Sequence, residues 1–222
     1  MLKFYYQKFS LYSRSVWIAL LEKKLPFELI ELALDGDQWQ PEFLAINPFG
    51  RVPVLVDNNF SIFESSSILD YLELQYPTPC FLPKDIKTLT IVRMIKMLTL
   101  HELIPAMLTL IRVTNKNAIE QANQQITAML NFLETQLDDG LYIAGDQITL
   151  AEIVAGSVII WLPDLNITLS NHPKVELWSN QLRQRPTWQE TQPSPEIIQD
   201  WLKRIQKLPK IRARQWQQKP SI

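Results

Sequence analysis

The chain has 222 residues, of which 46% are hydrophobic and 20% are charged, as is typical of a folded globular protein. Its formal net charge of −1 argues against nucleic acid as a partner, because such binding depends on clustered basic side chains. The length allows one large domain or two small ones.

The counts of cysteine and histidine narrow the chemistry further. Cys80 is the single cysteine, which excludes a disulfide framework and a paired-cysteine redox motif. The two histidines, His101 and His172, lie far apart, so we predict no metal site. No leader of charged and then apolar residues precedes the first strand, and the longest apolar run, residues 153–162, has about half the length of a membrane span. We therefore expect a cytoplasmic protein with no membrane partner.

The first 77 residues alternate between strand and helix patterns. Four stretches have the composition of short strands: residues 2–6, 27–34, 52–56 and 60–63. Helical spacing is found over residues 15–24 and after residue 64, and a short helical turn is expected near residues 42–44. This order predicts a mixed four-stranded sheet with helices on its faces.

A proline-rich segment separates this unit from the rest of the chain. Pro77, Pro79 and Pro83 exclude a helix or a central strand there. We predict a first domain over residues 1–77, a linker over residues 78–86 and an all-helical second domain over residues 87–222. Its helices are expected at residues 88–113, 118–137, 173–185 and 195–207. Pro105 is expected to bend the first of them.

The start of a further helix carries a capping signal. Thr149 can accept a hydrogen bond from the backbone N–H of Glu152, and the Glu152 side chain can reach back to the Thr149 N–H. Ile148 and Ile153 occupy the two positions of a hydrophobic staple. The helix that follows is apolar on nearly all sides, so it is predicted to form the core of the second domain.

Four motifs together resemble a cytosolic glutathione transferase of the serine-type, bacterial-like branch. They are the Ser10-to-Val16 segment, Asn47-Pro48-Phe49-Gly50-Arg51-Val52-Pro53, Glu64-Ser65, and Thr149-Leu150-Ala151-Glu152. The resemblance implies a thioredoxin-like, glutathione-binding first domain, an all-helical domain that lines the pocket for the second substrate, and a homodimer. It also implies a cis peptide bond before Pro53. Glutathione would be a co-substrate, and no cofactor is expected.

The resemblance assigns glutathione contacts to one group of residues: Gln38, Arg51, Val52, Pro53, Glu64 and Ser65. It implies that Ser65 and Glu64 hold the γ-glutamyl end and that the backbone of Val52 pairs with the cysteinyl part. Arg51 and Gln38 match positions that bind the glycine carboxylate in relatives. Free N–H groups at a helix start suit a carboxylate.

Thiol activation is assigned to Ser10. A thiol with a pKa of about 8.5 is mostly protonated at neutral pH, and a hydrogen-bond donor at a helix N-terminus favours the thiolate. Ser10 lies four residues before Arg14, where serine-type relatives carry their catalytic hydroxyl. Ser10 as a simple N-cap, Ser13, and the tyrosines Tyr5 and Tyr6 remain the alternatives.

The expected activity is conjugation of glutathione to small hydrophobic electrophiles, as in detoxification. The predicted electrophile pocket consists of Phe9, Leu11, Tyr12, Leu98, His101 and Pro105. The alternatives are a glutathione-dependent peroxidase or disulfide reductase, and a non-catalytic binding or regulatory protein with the same fold. Phe49 is expected either to insert into a partner subunit or to pack locally, and the basic tail with Trp216 is expected to be solvated or to fold over the pocket.

Overall fold

The computed structural model describes residues 1–137 and 141–205. Its N-terminal part is a four-stranded sheet with the order β2-β1-β3-β4. The strands are β1 (Leu2–Tyr6), β2 (Phe27–Glu31), β3 (Val54–Asp57) and β4 (Phe60–Phe63). β1 is parallel to β2, whereas the pairs β1–β3 and β3–β4 are antiparallel. The predicted mixed four-stranded sheet of a thioredoxin-like domain is confirmed.

Helices cover both faces of this sheet. α1 (Leu11–Glu22) and α3 (Ser65–Gln75) share one hydrophobic core with the inward-facing strand residues, such as Phe4 and Leu55. On the other face, Val54 and Val56 pack in a smaller cluster with Phe43, which belongs to the short helix α2 (Pro41–Leu44). Leu55 therefore points opposite to its two neighbours, as the twofold alternation of a strand requires.

Among the boundaries that differ from the sequence-based prediction, three in the sheet domain have a local explanation. α1 begins at Leu11 and not at residue 15, because Ser10 caps it four residues earlier than the apolar pattern suggests. β2 ends at Glu31 and does not reach residue 34, where Leu34 has a φ of 59°. β3 begins at Val54, so Val52 and Pro53 lie outside the ladder, as expected for a proline that cannot donate a hydrogen bond.

The second part of the described chain is helical, as predicted, and its one β-type pairing is a single bridge between Tyr142 and Gly145. The longer helices are α4 (Ile86–Leu98), α5 (Ile104–Arg112), α6 (Lys116–Gln136), α8 (Pro173–Arg183) and α10 (Pro195–Ile205). Two short helices, α7 (Ser157–Ile159) and α9 (Pro186–Glu190), complete the domain. The sequence analysis ended the preceding helix at residue 185 and predicted no helix from Pro186, although proline is favoured at the first position of a helix.

α4 and α5 are parts of one continuous helix, Ile86–Arg112. We refer to their junction as the bend, after the bend that the sequence predicts at Pro105. A π-helical segment, Thr99–Leu103, joins them, and a segment of this kind is a known cause of helix bending. By length and composition alone, the helix Ile86–Arg112 could cross a membrane, but half of its most apolar window is buried within the protein. This is weak evidence for a membrane span, since core helices of soluble proteins pass the same test.

The predicted capping box is present with one change of partner. Glu152 accepts a hydrogen bond from the Thr149 N–H at 2.8 Å, as predicted. The Thr149 hydroxyl, however, accepts from the N–H of Ala151 at 3.1 Å and not from that of Glu152. It also donates to the Glu152 carboxylate at 2.6 Å. A second π-helical segment, Glu152–Gly156, follows directly and is fully buried, so the core position predicted for this helix is confirmed.

Arg14 joins α1 to the helical domain. Its guanidinium is buried and donates to the carbonyl oxygens of Ser157 and Trp188 and to the hydroxyl of Thr191, at 3.0–3.2 Å. Burial lowers the pKa of Arg14, and the charge of nearby Arg183 lowers it further. The first helix is therefore fixed against the second domain one turn after Ser10.

Candidate functional site

Three separate segments meet at one end of the sheet. Residue Tyr5 of β1 lies opposite Val54 at the start of β3, and Val54 lies opposite Phe63 at the end of β4. The chain therefore leaves β1 towards Ser10, enters β3 from Pro53 and leaves β4 towards Ser65 at the same edge. The predicted catalytic and glutathione-binding segments are brought together by strand register.

Ser10 is the N-cap of α1, and its hydroxyl oxygen accepts a hydrogen bond from the Ser13 N–H at 3.1 Å. The first intrahelical bond runs from the N–H of Arg14 to the carbonyl of Ser10. A serine hydroxyl can accept the hydrogen bond from the Ser13 N–H and still donate its own proton elsewhere. The capping role therefore does not compete with a role as donor to a thiolate, and the cap fixes the position of the hydroxyl.

The alternatives to Ser10 are less well placed. Ser13 is 1% exposed, and its hydroxyl has no hydrogen-bond partner within the described ranges. Tyr6 is buried, and this burial raises its pKa. The neighbouring Glu31, which accepts a hydrogen bond from the Tyr6 hydroxyl, raises the pKa further. Tyr5 packs against Phe43 on the opposite side of the sheet, with ring centroids 5.8 Å apart.

A tight turn presents Arg51 and Val52. The buried Asn47 holds it, since its side chain donates to the carbonyl of Arg51 at 2.7 Å and accepts from the N–H of Phe49 at 3.0 Å. Gly50 has a φ of 60°, and a side chain there would come within 2.4 Å of the Trp39 ring. Arg51 is exposed, whereas Val52 is half-buried.

The peptide bond between Val52 and Pro53 is cis, as the resemblance implied. Pro53 itself is buried. The Val52 backbone stands just before β3 and so outside the strand pairing, which suits it to pair with an extended peptide.

The start of α3 offers free backbone donors. The first intrahelical bond joins the N–H of Ile68 to the carbonyl of Glu64. The N–H groups of Ser65, Ser66 and Ser67 precede it and have no partner within the helix. Ser65 is 4% exposed, and Glu64 is exposed with a φ of 67° and a ψ of 117°, which is rare for a residue other than glycine. Strained residues of this kind cluster at ligand sites.

Gln38 lies in a 3₁₀ turn, Asp37–Trp39, that packs under Gly50. It is buried, and its side-chain oxygen accepts from the N–H of Gly36 at 3.0 Å. Gln38 lies beside the turn that presents Arg51, as expected for a residue near the glycine carboxylate. Its side-chain oxygen, however, already accepts the hydrogen bond from Gly36.

Tyr12 connects the start of α1 to the bend between α4 and α5. Its half-buried phenol donates to the carbonyl of Leu100 at 3.4 Å. Of the other residues predicted for the pocket, His101, Pro105 and Leu98 are exposed, near or within the bend. Leu11 is only 4% exposed and is part of the hydrophobic core, so it offers little surface to a ligand.

Phe9 faces the last helix rather than the bend. Its ring stacks on Trp201 of α10 with centroids 5.2 Å apart, and Trp201 also meets Trp161 edge-on at 5.9 Å. The sequence analysis did not assign Trp201; the spacing of Ile198, Trp201 and Leu202 was the available signal for an apolar helix face. Trp216 and the basic tail from residue 206 onward lie outside the described residues.

The assembled site offers hydroxyls, backbone N–H groups at two helix starts and one exposed guanidinium, that of Arg51. These groups suit a small anionic peptide and a thiolate. Residues 1–137 and 141–205 contain no group of three or more His, Cys, Asp or Glu side chains that could hold a metal ion.

Comparison with known families agrees with this arrangement. Residues 4–80 match the family described as "Glutathione S-transferase, N-terminal domain", and residues 70–186 match "Glutathione S-transferase, C-terminal domain". The chain belongs to the glutathione S-transferase family. This membership covers both the sheet domain, with its three converging segments, and most of the helical domain.

Two relatives are 31% and 32% identical to this chain. "Glutathione S-transferase D7" of Drosophila melanogaster is 31% identical over 196 residues, which is 82% of this chain and 88% of the relative. "Maleylacetoacetate isomerase" of Rattus norvegicus is 32% identical over 167 residues, 72% and 77% of the two chains. A glutathione S-transferase structure from Methylobacterium radiotolerans, in complex with glutathione sulfonate, has 28% identity and a TM-score of 0.75 and covers 86% of this chain and 94% of its own.

Proposed function

We propose that this glutathione transferase is of the serine type and conjugates the thiolate of glutathione to small hydrophobic electrophiles. The observation that carries the proposal is the position of Ser10, which caps α1 at the sheet edge where the predicted glutathione segments meet. Other members of the family whose structures contain glutathione or its sulfonate support glutathione as the ligand.

The two ends of glutathione find complementary groups in this arrangement. The γ-glutamyl carboxylate meets the free N–H groups and the Ser65 hydroxyl at the start of α3, where the helix dipole also favours negative charge. The Glu64 carboxylate pairs with the ammonium group of the same γ-glutamyl residue. The glycine carboxylate lies towards Arg51 and Gln38, and the Val52 backbone pairs with the cysteinyl residue.

This placement brings the sulfur to the start of α1. The Ser10 hydroxyl donates a hydrogen bond to it, and the free N–H groups of the first turn add a positive partial charge. Both effects stabilise the thiolate more than the thiol, so the pKa of bound glutathione falls. The thiolate then attacks the electrophile held between α1 and the α4–α5 bend.

We expect Ser10→Ala to lower turnover about 100-fold, because one donor aimed at a developing or bound anion is removed. The pKa of the bound thiol should rise, while affinity for glutathione changes little. A conjugation assay with a chromogenic aryl halide measures turnover, and thiolate absorbance against pH measures the pKa. A hydroperoxide assay run in parallel detects the peroxidase alternative.

Ser10→Ala also removes a helix cap, which costs about 1 kcal/mol, so a second capping residue provides the control. Asp85 caps α4 through the N–H of Thr88 at 2.8 Å, away from the candidate site. Asp85→Ala should lower stability without slowing conjugation. Full turnover by Ser10→Ala, or an equal loss in Ser13→Ala, would remove Ser10 from the mechanism.

We expect Ser65→Ala to weaken glutathione binding roughly 10-fold, since a hydrogen bond to a charged group is lost. Turnover at saturating glutathione should remain close to that of the wild type. Ser67→Ala is the matched control, because Ser67 lies in the same turn but is exposed. Titration calorimetry gives both dissociation constants, and equal values for the two variants would contradict the assignment of Ser65.

The homodimer and the cytoplasmic location remain part of this proposal. Phe49 is 56% exposed, and its ring contacts Phe63 at 5.6 Å. An aromatic side chain that is this exposed beside the glutathione segment suits insertion into a second copy of the chain. Sedimentation of the wild type and of Phe49→Ala tests the dimer.

A second candidate activity is isomerisation of a conjugated double bond. The observation in its favour is the relative from rat that is named maleylacetoacetate isomerase. Incubating the enzyme and glutathione with a cis-configured conjugated keto acid distinguishes the two activities. A trans product with no net loss of glutathione favours the isomerase, whereas a stable adduct favours the transferase.

A further inference from the structure

The bend between α4 and α5 leaves a backbone carbonyl open. In the π-helical segment the N–H of Ile104 donates to the carbonyl of Thr99, five residues earlier. The same pairing would join residue 105 to the carbonyl of Leu100, but Pro105 has no N–H to donate. The π-helical pairing and Pro105 together therefore leave the Leu100 carbonyl in need of another donor.

Tyr12 supplies that donor from the other domain. Its hydroxyl lies 3.4 Å from the Leu100 oxygen, which is long compared with the usual 2.7–2.8 Å for such a bond. The Tyr12 hydroxyl is therefore positioned by a weak hydrogen bond, which a better acceptor on a ligand can replace. Tyr12 is also only half-buried, so part of its side chain is accessible to a ligand.

The surroundings of this phenol place it between the two substrate regions. Burial raises the pKa of Tyr12, and Glu64 raises it further, while Arg112 and Arg51 lower it. Glu64 and Arg51 belong to the proposed glutathione site, whereas Arg112 ends the bent helix. The phenol remains protonated at neutral pH and can act as a donor.

We propose that the Tyr12 hydroxyl is a second catalytic donor, which turns from the Leu100 carbonyl to an oxygen of the electrophile. This inference rests on the proposed transferase function and narrows its substrate class. Electrophiles that develop negative charge on oxygen during attack, such as conjugated enones, are preferred to those that release a large halide. Ser10 stabilises the attacking sulfur, and Tyr12 stabilises the charge that moves away from it.

With an enone the step is a conjugate addition. The thiolate sulfur forms a bond to the β-carbon, and the electron pair of the carbon–carbon double bond shifts to give an enolate oxygen. The Tyr12 hydroxyl donates a hydrogen bond to that oxygen and keeps its proton. The α-carbon then takes a proton from water, which balances the thiol proton released when glutathione ionised.

The test compares Tyr12→Phe with the wild type on an aryl enone and on benzyl iodide. We expect the enone rate to fall about 10- to 100-fold, because one donor to the developing oxyanion is lost. The iodide rate should fall much less than the enone rate, and the thiolate pKa of bound glutathione should stay close to that of the wild type. The melting temperature should fall only slightly, because the Leu100 carbonyl loses its donor. Tyr71→Phe is the matched control, since Tyr71 loses a hydrogen bond to Asp57 outside the site.

Each outcome decides the inference. A selective loss on the enone with an unchanged thiolate pKa supports it. An equal loss of rate with both electrophiles would mean that Tyr12 only positions the two domains, and it would overturn the inference. A large drop in melting temperature together with loss of both rates would do the same. An enone rate within about twofold of the wild type also overturns it. Absence of wild-type turnover on both electrophiles contradicts the proposed transferase function itself, which is a separate result.

Discussion

Replacing Glu152 with alanine is expected to lower the free energy of unfolding by roughly 3–5 kcal/mol. The carboxylate is completely buried, and burial raises its pKa although its hydrogen bonds lower it. It accepts from the N–H groups of Ile143 and Thr149 at 2.8 Å and from the Thr149 hydroxyl at 2.6 Å, and the Trp178 indole lies at 3.4 Å. Alanine would leave these donors buried without an acceptor and open a cavity.

Chemical denaturation of Glu152→Ala, Glu152→Asp and Glu120→Ala measures this effect. Asp keeps the charge and the acceptors on a shorter side chain, so it should recover part of the lost stability. Glu120 is an exposed residue of α6, and its replacement should change stability little. A loss in Glu152→Ala no larger than that in Glu120→Ala would show that the hydrogen-bonded carboxylate does not hold the helical core together.

Local signals explain why much of this fold could be predicted. The box from Thr149 to Glu152 lies within four consecutive residues, so its pairing is encoded where it occurs, and only the donor to the Thr149 hydroxyl was predicted wrongly. The turn at Asn47 and the strands around it are equally local. Strand register then brings the Ser10, Val52 and Ser65 segments to one edge, which followed from the family resemblance.

Contacts between the domains could not be predicted in this way. The bonds from Arg14 to Ser157 and Trp188 join residues more than a hundred positions apart, and nothing near Arg14 in the sequence indicates a buried partner. The stacking of Phe9 on Trp201 likewise depends on where α10 packs. The convergence of the Ser10, Val52 and Ser65 segments was therefore predictable from the sequence, whereas the surroundings of the predicted electrophile pocket depend on tertiary packing.

The second large effect is expected at Lys23, at the end of α1. Its ammonium forms an ion pair with Glu73 at 2.8 Å, and the two side chains are 0% and 3% exposed. It also donates to the carbonyls of Tyr76 and Pro79 at 2.7 Å each, and Glu73 accepts from the Phe81 N–H at 2.9 Å. The pair thus fastens the segment between α3 and α4 to the first helix. Lys23→Met should cost roughly 3–5 kcal/mol, since Glu73 remains buried and uncompensated.

A double variant distinguishes the ion pair from simple packing. Lys23→Met with Glu73→Leu removes both charges, and we expect it to be more stable than Lys23→Met alone, because no buried charge is left without a partner. The surface pair Lys3–Glu28, at 3.7 Å with side chains 46% and 45% exposed, is the control, and Lys3→Met should cost less than about 1 kcal/mol. Hydrogen exchange at the Phe81 amide should accelerate in Lys23→Met. Unchanged exchange together with additive energies in the double variant would mean that Lys23 and Glu73 act independently and that the ion pair does not fasten this segment.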